Sequence, residues 1–118
     1  MNNYIWITTQ KEMFHKYPGA PDEVAFLRNL HRHIFKFKVY ISVTHNDRDI
    51  EFIMFKRKVD EYINRMADDQ KSRSCEMISD ALNNAIVKDY PGRKVKIEVS
   101  EDGENGSYKK YDGPVNEI

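Results

Sequence analysis

Two histidines two residues apart, His31 and His33, open the most strand-like run of the chain and are the first residues to read for chemistry. Alternate residues of a strand leave the same face, so both imidazoles project together, about 6 to 7 Å apart along the backbone. That separation is awkward for a direct hydrogen bond and suits two ligands converging on one ion. Zinc takes imidazole nitrogen at about 2.0 to 2.1 Å, and a catalytic zinc commonly keeps three protein ligands and one open position. His15 follows an earlier strand-like run and can fold back beside the pair as the third ligand. His45 lies twelve residues beyond His33, at about 3.3 Å per residue, and is too far along the strand to share the site. The plainer alternative gives one histidine a local hydrogen bond and leaves the other in solvent.

Six segments must position these residues. Tyr4 to Thr9, rich in aromatic and β-branched types, reads as a strand. Residues 15 to 30 carry Tyr17, Pro18, Gly19 and Pro21 with a short apolar patch, Val24, Phe26, Leu27 and Leu30, and read as a structured loop with room for one helical turn. From His31 to Thr44 the alternation is strict: His31, His33, Phe35, Phe37, Val39, Ile41 and Val43 share one face, and Lys36, Lys38, Tyr40 and Ser42 the other. His45 to Asp49 reads as a turn, followed by a short extended stretch from Ile50 to Phe52. Helical spacing predicts one helix over about 53–67, with Phe55, Val59, Tyr62, Ile63 and Met66 on one side. A second is predicted over about 74–89, with Met77, Ile78, Ala81, Leu82, Ala85 and Ile86. Ser72 or Ser74 suits its N-cap. Pro91-Gly92 ends it; Val95, Ile97 and Val99 form a third strand, 102–106 a turn, and Ser107 to Tyr111 a final strand. The order is ββααββ, an α+β fold with a four-stranded antiparallel sheet and two helices packed on one face.

The 118 residues suit a single domain, with a polar tail over about 112–118. Nineteen basic and nineteen acidic side chains balance, which gives no general attraction for nucleic acid. The basic runs Lys56 to Lys58 and Lys109-Lys110 read as solvated faces, and the aromatic residues at strand spacing as core, so nucleic acid is not expected as a partner. The one cysteine, Cys75, excludes an internal disulfide and a cysteine-rich zinc site, and reads as a buried or helix-cap residue. No basic leader or long apolar run occurs, so no membrane partner is expected and a cytoplasmic location is.

Several motifs together resemble the 6-pyruvoyl/6-carboxy-tetrahydropterin synthase family of the T-fold superfamily. They are His15-Lys16-Tyr17-Pro18, Leu27-x-x-x-His31-Arg32-His33, Glu51-Phe52-x-x-x-Lys56, Arg73-Ser74-Cys75-Glu76, and Val95-x-Ile97-x-Val99-x-Glu101-Asp102. The family shows a single histidine after its first strand, a Cys-x-x-x-His-Gly-His segment, Asp-Phe-x-x-x-Lys entering the first helix, Pro-Thr-x-Glu at the second, and a late strand ending in Glu-Thr. The resemblance spans nearly the whole chain, and the ββααββ order is the family's. It implies a T-fold, zinc held by His15, His31 and His33, and Glu101 as the carboxylate that anchors the amino and ring N–H groups of a pterin. It also implies a lyase-type activity on a small heterocyclic ligand, and a trimer or hexamer whose strands join between subunits.

The departures bear on the chemistry. Leu27 stands where the family has its catalytic cysteine, Arg32 replaces the middle glycine, and the Asp-His pair after the first helix is missing. Leucine cannot move a proton, so ordinary synthase chemistry lacks its transfer groups. Asp68, Asp69, Glu23 and Glu51 remain as acid–base candidates. The implied function is a zinc-binding, synthase-like protein acting on a pterin or deazaguanine-type ring. The alternatives are a catalytically inactive zinc and heterocycle binder, and a structural oligomeric protein.

Overall fold

A computed structural model describes residues 3–116. The elements run β1 (Tyr4–His15), a 3-10 helix (Asp22–Arg28), β2 (His31–Ser42), α1 (Phe52–Met66), a 3-10 turn (Ala67–Gln70), α2 (Cys75–Asp89), β3 (Val95–Glu101) and β4 (Asn105–Tyr111). The four strands form one antiparallel sheet in the order β1-β2-β3-β4. Both helices cover one face of it, so the predicted architecture holds among the described residues.

That face is built by the odd-numbered strand positions. Phe35, Phe37, Val39 and Ile41 of β2 and Val95, Ile97 and Val99 of β3 are almost wholly buried. They meet Phe55, Val59 and Ile63 of α1 and Ile78, Leu82 and Ile86 of α2 in one core. Burial of large apolar side chains at this density is the main force holding sheet to helices. The even-numbered positions face the other way, and no helix among the described residues covers them.

Local chemistry sets the helix ends. Glu51, extended in its backbone, caps α1 by accepting from the backbone N–H of Ile53 (2.8 Å) and Met54 (3.1 Å), so the helix already begins at Phe52, the end of the stretch expected to be extended. Ser74, one of the two predicted caps, accepts from Met77 N–H at 3.2 Å and starts α2. Met77 itself points into solvent at 51% exposure. The buried side of α2 instead includes Ser79 and Asn83, polar residues that bond to the Tyr111 hydroxyl and, through Asn83 Nδ2–H, to the Gly113 carbonyl. The tail is likewise not free: Asn84 exchanges two hydrogen bonds with the backbone of Val115, which ties residues 113–115 onto α2. Residues 117 and 118, the end of the predicted tail, lie outside the described residues.

The largest difference from the sequence expectation is the length of β1. It continues past Thr9 through Gln10, Lys11 and Glu12 to His15, pairing with β2 along twelve residues. As the sheet edge, β1 carries polar residues where a central strand would carry apolar ones. β3 pairs with β2 only over Phe35 to Ile41, so residues 31–34 and their β1 partners project beyond it.

Candidate metal centre

The overhang brings the three predicted histidines together. His15, the last residue of β1, is the direct partner of His31, the first of β2, and Met13 is the partner of His33. All three imidazoles therefore leave the helix-covered face at one end of the sheet. Their ring centroids lie 5.6 Å (His15–His31), 4.7 Å (His31–His33) and 6.5 Å (His15–His33) apart. Phe35, next on the same face, closes the apolar floor against His15 and His33.

Each ring is held by one nitrogen. His15 Nε2–H donates to the carbonyl of Arg73 at 2.6 Å, and His31 Nδ1–H to the carbonyl of Asn29 at 2.7 Å. His33 Nδ1–H donates to Asp102 Oδ2 at 2.7 Å. Carbonyl and carboxylate oxygens only accept, so these three bonds place a proton on His15 Nε2, His31 Nδ1 and His33 Nδ1; in the neutral rings the lone pairs then fall on His15 Nδ1, His31 Nε2 and His33 Nε2. Those three nitrogens are buried and have no hydrogen-bond partner. An unmade bond at a buried polar atom costs about 1 to 3 kcal/mol, and His15 and His31, which carry two of these atoms, share one compact set of ligand atoms with Glu101, a set that does not include His33.

Glu101, the last residue of β3, adds a carboxylate to the same cluster. Its oxygen lies with a nitrogen of His15 and of His31 in a set whose atoms are all within 4.8 Å of one another. Glu101 Oε2 is also 2.9 Å from His33 Nε2, an ion-pair distance that lacks hydrogen-bond alignment. Asp102 then turns the chain in the left-handed region, at φ 59°. It accepts from the backbone N–H of Ile34 at 2.8 Å while holding His33. The Ile34 N–H first, and His33 second, hold the Asp102 carboxyl below the ordinary carboxylate range.

The other residues singled out from sequence do not join the cluster. Arg32 points to the opposite face, 3.4 Å from Glu12. His45 sits exposed in the turn after β2, accepting from Asp47 N–H. Glu51 is spent on the α1 cap. Glu23, Asp68 and Asp69 are exposed, and among the described residues none of the three bonds or ion-pairs with the histidines or Glu101. Leu27 lies in the 3-10 helix, where its carbonyl accepts from Tyr17 N–H. Cys75 is buried at the first turn of α2; burial, then the charges of Glu101 and Glu76, push its thiol up to about 11. It is therefore a protonated thiol at neutral pH, not a nucleophile.

Sequence reasoning missed three supports: the Arg73 and Asn29 carbonyls and Asp102. Backbone carbonyls carry no residue-type signal. Asp102 reads as a turn residue, yet its place directly after Glu101 was the available clue. No family model matches this chain, and no curated protein is significantly similar to it in sequence.

Proposed function

We propose that this protein binds one zinc ion through His15 Nδ1, His31 Nε2 and His33 Nε2, as a diverged relative of the 6-pyruvoyl/6-carboxy-tetrahydropterin synthases with a T-fold. The observation that carries the reading is the triple of buried, unpartnered imidazole nitrogens whose opposite nitrogens are each anchored on an acceptor. Metal-ligating histidines are held in this way, because the outer bond fixes tautomer and ring orientation. A competing arrangement, with His33 as an imidazolium clamped between Glu101 and Asp102, leaves His15 Nδ1 and His31 Nε2 unsatisfied. A cation held by His15 and His31, with the His33 ring turned onto it as third ligand, would relieve all three.

Bound zinc would supply Lewis-acid polarisation of a ligand oxygen or water. Around it, His15, His31 and His33 supply neutral nitrogen donors, and Phe35 keeps the floor dry. Glu101 stands at the side of the cluster nearest β3. Its two oxygens can accept paired N–H donors from a pterin or deazaguanine-type ring held there. Binding of such a ring is the first reading. Lyase-type turnover is the second, and it has less support: Leu27 cannot transfer a proton, and the Cys75 thiol stays protonated. The long exposed edges β1 and β4 are suited to pairing with further copies, so a trimer or hexamer is part of the proposal.

Elemental analysis of untagged protein tests the metal. About one zinc per chain is expected, falling to none in His31→Ala and His33→Ala while far-UV circular dichroism is retained. Chelation should lower Tm, because saturation at about a thousand times Kd contributes roughly 4 kcal/mol to the folded state. A chain that takes up no zinc on titration would end this reading.

A further inference from the structure

We infer that the uncovered face of the sheet is a second binding surface, for single-stranded nucleic acid. It lies across the sheet from the histidines and does not depend on the zinc reading. Strand register lays its side chains out in rows. Trp6, Tyr40, Lys96 and Lys110 form one row across β1 to β4, and Thr8, Lys38, Glu98 and Tyr108 form the next. Gln10, Lys36, Ser100 and Gly106 form a third. Neighbouring rows are about 7 Å apart and neighbouring strands about 4.8 Å.

The charge on this face is one-sided although the chain as a whole is neutral. Among the described residues, Lys36, Lys38, Lys96 and Lys110 make no ion pair with a carboxylate. Glu98 is the one acid in these rows and accepts from the Tyr40 hydroxyl at 2.8 Å; further along, Arg32 and Glu12 offset each other. The lysines stand over aromatic rings: Lys38 Nζ is 4.5 Å from the Trp6 centroid and 5.3 Å from that of Tyr40, and Lys96 Nζ is 4.2 Å from Tyr4. Trp6 and Tyr108 remain more than half exposed. A depression of about 740 Å³ beside Tyr108 is lined in part by Gln10, Lys36, Lys38 and Lys56, with Glu98 and Glu104 as its acids.

Cations that track a phosphate backbone, interleaved with exposed rings on which bases stack, are what sequence-tolerant single-strand binding requires. A duplex hides its bases and cannot use the rings. A second copy laid face to face would set these lysines against their own images, so charge complementarity favours a polyanion as the occupant. In sequence only Lys36, Lys38 and Tyr40 show as one strand face; Trp6, Lys96, Tyr108 and Lys110 join them only through strand register.

Trp6 is the one tryptophan, so its fluorescence reports the face directly. Titrating the full chain with a short oligothymidylate should quench it. Four phosphate contacts give a log–log salt slope of about −2.8, or roughly a 50-fold loss of affinity between 50 and 200 mM salt. The double variant K38Q/K96Q should halve that slope. Tyr108→Ala should weaken binding by about 5- to 150-fold through lost stacking. Either no quenching at the lowest salt, or a slope that K38Q/K96Q leaves unchanged, would overturn the inference. So would equal binding of dextran sulfate with no effect of Tyr108→Ala, which would mark a generic polyanion site. Quenching that disappears at protein concentrations where sedimentation shows self-association would show that another copy covers the face and would also overturn it.

Discussion

Asp102→Asn is the sharpest perturbation of the proposed metal centre because it changes one bond and spares the fold. Asp102 Oδ1 accepts from Ile34 N–H, Oδ2 accepts from His33 Nδ1–H, and its own N–H donates to the Ile34 carbonyl at 2.7 Å. Asparagine keeps the shape, tolerates the left-handed backbone, and can still accept from Ile34 N–H. Its amide NH₂ then faces His33 Nδ1. The ring must turn its lone pair to that donor and move its proton to Nε2, the nitrogen assigned to the metal. Loss of an outer partner of this kind costs about 10- to 100-fold in metal affinity, or roughly 1.4 to 2.7 kcal/mol. Competition against a chromophoric zinc chelator measures the affinity, and thermal unfolding of the metal-free forms checks that their stabilities match. Zinc affinity within about twofold of the wild type, on equally stable protein, would refute the claim that Asp102 orients His33 for a metal.

Three other outcomes are expected. With its thiol pushed up to about 11, Cys75 should react with a disulfide reagent at pH 8 about two orders of magnitude more slowly than in the unfolded chain; equal rates would contradict its burial. Gly106→Ala places a Cβ 2.0 Å from the Val99 carbonyl oxygen and 2.6 Å from Ser100 Cα. It should destabilise by at least about 1 to 3 kcal/mol in urea titrations, and an unchanged midpoint would show that the β3–β4 pair can part freely. Arg93, foremost, and the Thr44 N–H hold the Asp49 carboxyl well below the ordinary range. The native state thus prefers charged Asp49, and its contribution is complete above the unfolded value near 3.9 and lost as pH falls through the folded one. Urea midpoints of wild type and Arg93→Ala should converge in acid; curves that stay parallel would remove Asp49 as the cause.

Much of the fold was legible because burial obeys strict periods. The alternation from Phe35 to Val43 marks a central strand, and its two histidines ride on that same alternation. The second half of β1 was not legible: Gln10, Lys11 and Glu12 are polar because the strand is an edge, and polarity alone reads as loop. The stripe of α2 was offset by one residue, with Met77 exposed and Ala81 and Ala85 half-buried, since periodicity ranks apolar residues and overlooks Ser79 and Asn83, polar residues that are buried and hydrogen-bonded. The site shows the same division. The three histidines are visible as a pattern, whereas the acceptors that aim them are a carboxylate in a turn and two backbone carbonyls supplied by other parts of the chain.

Those acceptors also set when the site can exist. His31 finds its anchor two residues away, but those of His15 and His33 lie 58 and 69 residues away. A β1–β2 hairpin formed early would carry all three rings on one face with two of them free to rotate. Their aim comes only after the α1–α2 connection and the β3–β4 turn have docked, and long loops must close before those contacts are made. Any ion taken up by the aimed rings is therefore captured by the finished fold and does not nucleate it. Zinc present during refolding should leave the folding rate unchanged and slow unfolding, the kinetic mark of an interaction absent from the transition state.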